Sequence, residues 1–179
     1  FGNQHAPQPG IVAITQVTEL GALYSIEEIR SLSEAAHSMG MFVYLDGARI
    51  ANATAALGGT RETLRSFTRD AGIDAMTFGC TKAGGIFGEA VVFFNPEFAK
   101  RSLYVRKQVT QLHSKMRFIS AQYEAMLRDD LFITLGGQAN KAAQMLFDKT
   151  KDIASLQLTS APAANSMLPI IASAPRTQL

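Results

Sequence analysis

This chain of 179 residues has a single cysteine, Cys80, and only three histidines. One thiol excludes an internal disulfide framework and points to a reducing compartment, the cytoplasm. His5 stands in a proline-flanked loop, His37 near a helix end and His113 among helical residues. None has a carboxylate or cysteine at ligand spacing, so no metal site is expected. Charge of one sign is scarce as well. Seventeen basic residues against 15 acidic ones leave a net charge of +2, and no basic stripe with interleaved aromatics marks a nucleic-acid surface. No apolar window approaches the length that spans a bilayer, and no signal-peptide pattern opens the chain. Internal repeats and low-complexity tracts are missing too. The chain begins Phe1-Gly2-Asn3-Gln4, without an initiator methionine, and stops at Thr177-Gln178-Leu179 just after an apolar run. Residues missing at both ends are the expectation.

What is present describes a globular protein: 47% apolar and 18% charged residues. The length suffices for one domain with a core and the beginning of a second. Ile11-Val12-Ala13-Ile14-Thr15 is a β-rich run bounded by Pro7 and Pro9. Ser25-Ile26-Glu27-Glu28 fits a capping box, in which the hydroxyl accepts from the third helical N–H and Glu28 reaches back. Ile29, Leu32, Ala36 and Met39 recur at helical spacing, with Gly40 as the C′ residue. Phe42-Val43-Tyr44-Leu45 is the next strand, which completes a βαβ unit with parallel strands.

A second unit follows. Residues 52–57 and 62–69 read as helical segments separated by Gly58-Gly59, and 75–81 as a strand ending at Lys82. The glycine-rich "AGGIFG" leads to another strand at 90–94. Too few residues separate these two strands for a helical crossover, so they are expected to be antiparallel. Because the glycine-rich stretch leads to a strand, no helix N-terminus there faces an anion. It reads instead as a turn that lets the backbone pass close to Lys82. Asn95-Pro96 ends the sheet segment, and a helical region is expected over 98–151, interrupted near Gly136-Gly137. "LQLTS", a turn at Ala161-Pro162 and "MLPIIA" look like strands of a further domain. The boundaries expected are 1–150 and 151–179.

The stretch "YLDGARIAN" places a carboxylate, Asp46, at the end of an apolar strand, with Arg49 close behind. Open α/β sheets bind ligands beyond the carboxyl ends of their parallel strands. Asp46 and Lys82 each stand at such an end, and successive units bring them to one crevice. They are either an ion pair or two groups that address opposite sides of a small aromatic cofactor. Pyridoxal phosphate suits the second case: its aldehyde condenses with a lysine amine, and a carboxylate holds the proton on its ring nitrogen. An arginine beside Asp46 meets the ring hydroxyl or a substrate carboxylate. Cys80, on a buried strand, has the place of a small apolar residue.

"VYLDGARIANATAALG" followed by "DAMTFGCTKAGGIFGEAVVFF" resembles the low-specificity threonine aldolases of the β-eliminating lyase group. The resemblance runs from about Ile11 to Asp130, and more loosely to the end. It implies an aspartate-aminotransferase-like α/β fold: a mostly parallel sheet with helices on both faces, followed by the start of a smaller α+β domain. It implies pyridoxal 5'-phosphate as cofactor, Lys82 as the Schiff-base lysine, Asp46 on the pyridinium, and Arg49 beside the ring hydroxyl and the substrate carboxylate. Thr81 would touch the phosphate or merely finish the strand. Lys107 matches a basic position that follows the site, and otherwise belongs to a solvated helix face. The implied substrate is an amino acid, threonine or allo-threonine, cleaved to glycine and acetaldehyde by a homo-oligomer, a dimer or tetramer. Another pyridoxal phosphate lyase or a transaminase would use the same pair, and a cofactor-free fragment with an Asp46–Lys82 ion pair is the alternative of another class. There is one departure. Where many family members read Thr-Glu-Asn-Thr-His-Asn, this chain has Thr18-Glu19-Leu20-Gly21-Ala22 and no histidine to approach the substrate hydroxyl.

Overall fold

Alternating apolar residues build a sheet with one dry face. In this computed structural model, which describes residues 2–171, strand β1 (Ile11–Thr15), helix α1 (Ile26–Ser38) and strand β2 (Phe42–Gly47) form the expected unit. β1 and β2 run parallel, from Ile11 opposite Phe42 to Thr15 opposite Asp46. Helix α1 starts at the expected box: the Glu28 N–H donates to Ser25 Oγ at 3.1 Å, and the Ser25 N–H donates to Glu28 Oε2 at 2.7 Å. It ends as a Schellman motif, with Gly40 at positive φ and the Gly40 and Met41 N–H groups donating to the carbonyls of His37 and Ala36.

After β2 come α2 (Ile50–Leu57), α3 (Arg61–Phe67) and β3 (Ala75–Gly79), with β3 parallel to β2. Strand β4 (Glu89–Phe93) pairs antiparallel with β3, as the short connection requires. The sheet order is β1-β2-β3-β4. Val43, Leu45, Met76 and Phe78 point to one face and are buried against Ile29 and Ala36 of α1, Ile50 and Ala53 of α2, and Phe67 of α3. The other face carries Tyr44, Asp46, Thr77 and Val91, by strand alternation and register. Its members Ile11, Phe42 and Val91 are exposed, and Phe42 meets Phe98 of the short helix α4 (Pro96–Ala99) edge-on at 4.6 Å.

The helical region differs from expectation. It consists of α4, α5 (Ser102–Gln108), α6 (Arg117–Leu127) and α7 (Leu131–Thr150), and Gly136-Gly137 lie inside an unbroken α7. The breaks fall instead over residues 109–116 and at Asp129 and Asp130, the last two left-handed, a conformation that short polar side chains tolerate. Gly136 is there for packing. A Cβ at Gly136 would lie 2.4 Å from the Ala51 carbonyl oxygen, so α2 and α7 meet backbone to backbone. At the tail, β5 (Leu156–Leu158) and β6 (Pro169–Ile171) form an antiparallel pair. Ala172, the last residue of the expected second strand, lies outside the described residues. Between these strands Ala164 is buried in the main core. No helix among the described residues is long and apolar enough to cross a membrane.

Candidate active site

Asp46 alternates with Leu45 and Gly47, which are buried, and so projects from the face opposite the core at the carboxyl end of β2. One carboxylate oxygen, Oδ1, accepts from the Ala48 N–H at 2.9 Å, an Asx turn that bends the chain toward β3. Gly79 accommodates that bend: a Cβ there would come within 2.8 Å of Ala48 Cα. The last residue of β3 is therefore pressed against the loop that follows Asp46.

Lys82 stands beyond that contact, though not at the tip of a strand as expected. β3 stops at Gly79, and Thr81–Ala83 make one turn of 3-10 helix. The cause is the Cys80 carbonyl, which accepts from both Ala83 and Gly85 N–H groups at 3.0 Å and folds the chain back. A Cβ at Gly85 would lie 2.1 Å from Cys80 Sγ, so the glycine-rich turn closes over this buried thiol. Burial pushes the Cys80 thiol above its ordinary value, which suits a packing residue and not a nucleophile. Thr81 and Lys82 are exposed at the start of this turn. Among the described residues Asp46 and Lys82 do not pair as ions with each other.

Arg49 opens α2 and its side chain is only 18% exposed. Its Nη1 donates to both carboxylate oxygens of Glu19, each at 3.2 Å. Lys107 is exposed on α5, and among the described residues it forms no ion pair or side-chain hydrogen bond with Asp46, Lys82 or Arg49. His37 has a structural partner instead: its Nε2 lies 2.9 Å from Asp74 Oδ2, which also accepts the Val43 N–H at 2.8 Å. These contacts tie the end of α1 to the start of the sheet, away from Asp46. Among the described residues no group of three or more His, Cys, Asp or Glu is placed to hold a metal ion.

Two acidic groups join the constellation without having been singled out from the sequence as site residues. Glu19 is one. Glu89 is the other: it pairs with Gly79 across the β3–β4 ladder, on the same face as Asp46. Burial raises the Glu89 carboxyl above its ordinary value, the Asp46 carboxylate adds to the rise, and Lys82 opposes it. Asp46, Lys82 and Glu89 thus share one electrostatic neighbourhood. The sequence signal for Glu89 is the same as for Asp46, a carboxylate at the boundary of an apolar strand.

The residues that build this geometry lie within a stretch shared with known proteins. The chain is 40% identical to a low-specificity L-threonine aldolase from a Pseudomonas species, over 163 residues that make up 91% of this chain and 46% of that protein. It is 37% identical over 163 residues, with the same shares, to a low-specificity L-threonine aldolase from Pseudomonas aeruginosa. The chain therefore spans about half the length of these relatives. The solved threonine aldolase of Leishmania major superposes with a TM-score of 0.84, at 31% identity, over 93% of this chain and 47% of that one. The mostly parallel sheet and its helices are accordingly those of the aspartate-aminotransferase-like architecture. The agreement extends past single relatives, because the profile of the beta-eliminating lyases matches residues 2–173, and the chain belongs to that family.

Proposed function

We propose that the full-length protein is a pyridoxal phosphate-dependent carbon–carbon lyase that cleaves β-hydroxy-α-amino acids, threonine or allo-threonine, to glycine and acetaldehyde. The observation that carries this reading is that Asp46 stands at the carboxyl end of β2 and Lys82 in the turn that follows the adjacent parallel strand β3, unpaired with each other and both acting on Glu89. The donor set fits the cofactor. A carboxylate matches a protonated ring nitrogen, a primary amine matches an aldehyde, and a guanidinium and a hydroxyl match oxygen acceptors. When bound, pyridoxal phosphate supplies an electron sink for the pair released by the breaking Cα–Cβ bond.

This chain's residues then have distinct tasks. Asp46 would hold the proton on the ring nitrogen, and the Asx turn to Ala48 fixes its carboxylate. Lys82 would provide the primary amine that holds the cofactor's aldehyde carbon. Arg49 would orient the substrate carboxylate, and the Thr81 hydroxyl would serve the phosphate. Orientation of the scissile bond, more than acid strength, selects cleavage over loss of the α-proton. Residues 1–150 belong to the cofactor-binding large domain, incomplete at its N-terminus, and 151–179 begin the smaller one. The assembly is a cytoplasmic homo-oligomer, a dimer or tetramer, which light scattering of the full-length protein tests.

The primary test is an absorbance scan of the full-length protein with added pyridoxal phosphate. A band at roughly 410–430 nm, general to such Schiff bases, is expected in wild type and absent in Lys82→Ala. No band in wild type would overturn the reading. Acetaldehyde released from threonine distinguishes the aldolase from a transaminase, which would yield a keto acid instead.

A further inference from the structure

We propose that Glu19 is a positioning residue of this site, acting through Arg49 to set how tightly the carboxylate of an amino-acid substrate is held. The inference rests on the aldolase reading above. Arg49 is permanently charged and largely out of water, so it needs a counter-charge wherever it lies. Glu19 supplies one in an unusual geometry. Both of its oxygens approach the single nitrogen Nη1, at 3.2 Å each, instead of spreading across the guanidinium fork. Among the described residues Nε and Nη2 of Arg49 make no side-chain hydrogen bond. That edge retains the parallel N–H donors that suit the two oxygens of a second carboxylate.

The turn that carries Glu19 is held closed, although the Glu19 side chain is 69% exposed. The Thr18 N–H donates to the Ala22 carbonyl, the Gly21 N–H to the Thr18 carbonyl, and the Ala22 N–H to Thr18 Oγ1, each at 3.0 Å. Two residues before this closed turn, buried Gln16 grips the Tyr24 backbone twice, donating from Nε2 at 2.8 Å and accepting at Oε1 at 3.0 Å. An ion pair with one partner so exposed adds little to folding stability. The fixed turn and the half-used guanidinium instead describe a brace. It neutralises Arg49, stops the fork from rotating, and presents its free edge. A carboxylate that merely competed with the substrate would have the opposite effect on binding, and that difference makes the proposal decidable.

The test uses full-length protein loaded with pyridoxal phosphate, in wild-type, Glu19→Ala and Glu19→Gln forms. Glycine binding, read from the change in cofactor absorbance, should weaken about tenfold in Glu19→Ala, the size of one lost charge-assisted hydrogen bond. Glycinamide, which lacks the carboxylate, should bind all three forms alike, and KM for threonine should rise more than kcat falls. Glu19→Gln should lie between the other two, and Glu19→Ala should have no further effect in an Arg49→Ala background. Unchanged or tighter glycine binding, or an equal loss for glycinamide, would overturn the role of Glu19 while leaving the aldolase reading intact. Absence of the cofactor band in wild type would instead remove the aldolase reading, and this inference with it.

Discussion

Asn52 and Asn140 are bonded to each other twice across the α2–α7 interface. Asn52 Nδ2 donates to Asn140 Oδ1 at 3.1 Å, and Asn140 Nδ2 donates to the Asn52 carbonyl at 3.0 Å. Asn52 also donates to the Gly136 carbonyl at 3.3 Å and is 3% exposed. Its place in the sequence motif around Asp46 therefore has a structural reason: it locks the helix that follows the carboxylate onto the longest helix of the chain. Asn52→Ala would leave the half-buried Asn140 Oδ1 without its donor and remove the bond to the Gly136 carbonyl. A loss of about 1–3 kcal/mol is expected, measured as a lower urea midpoint of the full-length protein. An unchanged midpoint would contradict the locking role.

Gly136 and Gly137 make a paired test of the same interface. A Cβ at Gly136 collides with the Ala51 backbone at 2.4 Å, whereas one at Gly137 meets only Ala55 Cβ, at 3.7 Å. Gly136→Ala should destabilise by about 1–3 kcal/mol, the usual cost of overpacking. Gly137→Ala should stabilise by up to about 1 kcal/mol through helix propensity. Thermal denaturation of the two variants should therefore move in opposite directions, and a shift of the same sign in both would refute the close-contact explanation.

Asp46→Ala should leave some cofactor bound, because Lys82 still anchors it, yet lose most turnover, since nothing then holds the ring-nitrogen proton. Absorbance titration and acetaldehyde release, measured on the same preparation, separate the two effects. Turnover equal to wild type would disprove the assigned role.

Glu89 gives a pH signature. Its carboxyl is raised in the folded state, so the folded protein binds the proton more tightly than the unfolded chain. Stability from this group is fully present below the ordinary glutamate range and is lost as pH rises through the raised value. Glu89→Gln, which cannot ionise, should accordingly be more stable than wild type near neutral pH. The advantage should vanish below about pH 4, where the carboxyl is protonated in both states. Melting temperatures across that range decide the matter, and a pH-independent difference would count against it.

Much of the fold is legible in residue order because the signals are local. Ser25 and Glu28 lie within one helical turn of each other, so the capping box and the start of α1 follow from spacing alone. The apolar run from Phe42 to Leu45 marks β2 and sets Asp46 at its carboxyl end. The short link from Cys80 to Gly88 forces β4 to turn back antiparallel.

Other features depend on contacts between distant segments. Gly136-Gly137 looks like a helix break until α2 is set against it, because a missing Cβ serves either flexibility or close approach. Lys82 reads as the end of a strand until the Cys80 carbonyl takes two donors and curls the chain into a turn. Glu19 meets Arg49, and Glu89 shares the Asp46 face, only once β1, β2, β3 and β4 lie side by side. Hydrophobic period and capping act over a few residues, and so a linear chain records them. Charge pairing and backbone contact act through space, and their partners exist only after the sheet has assembled.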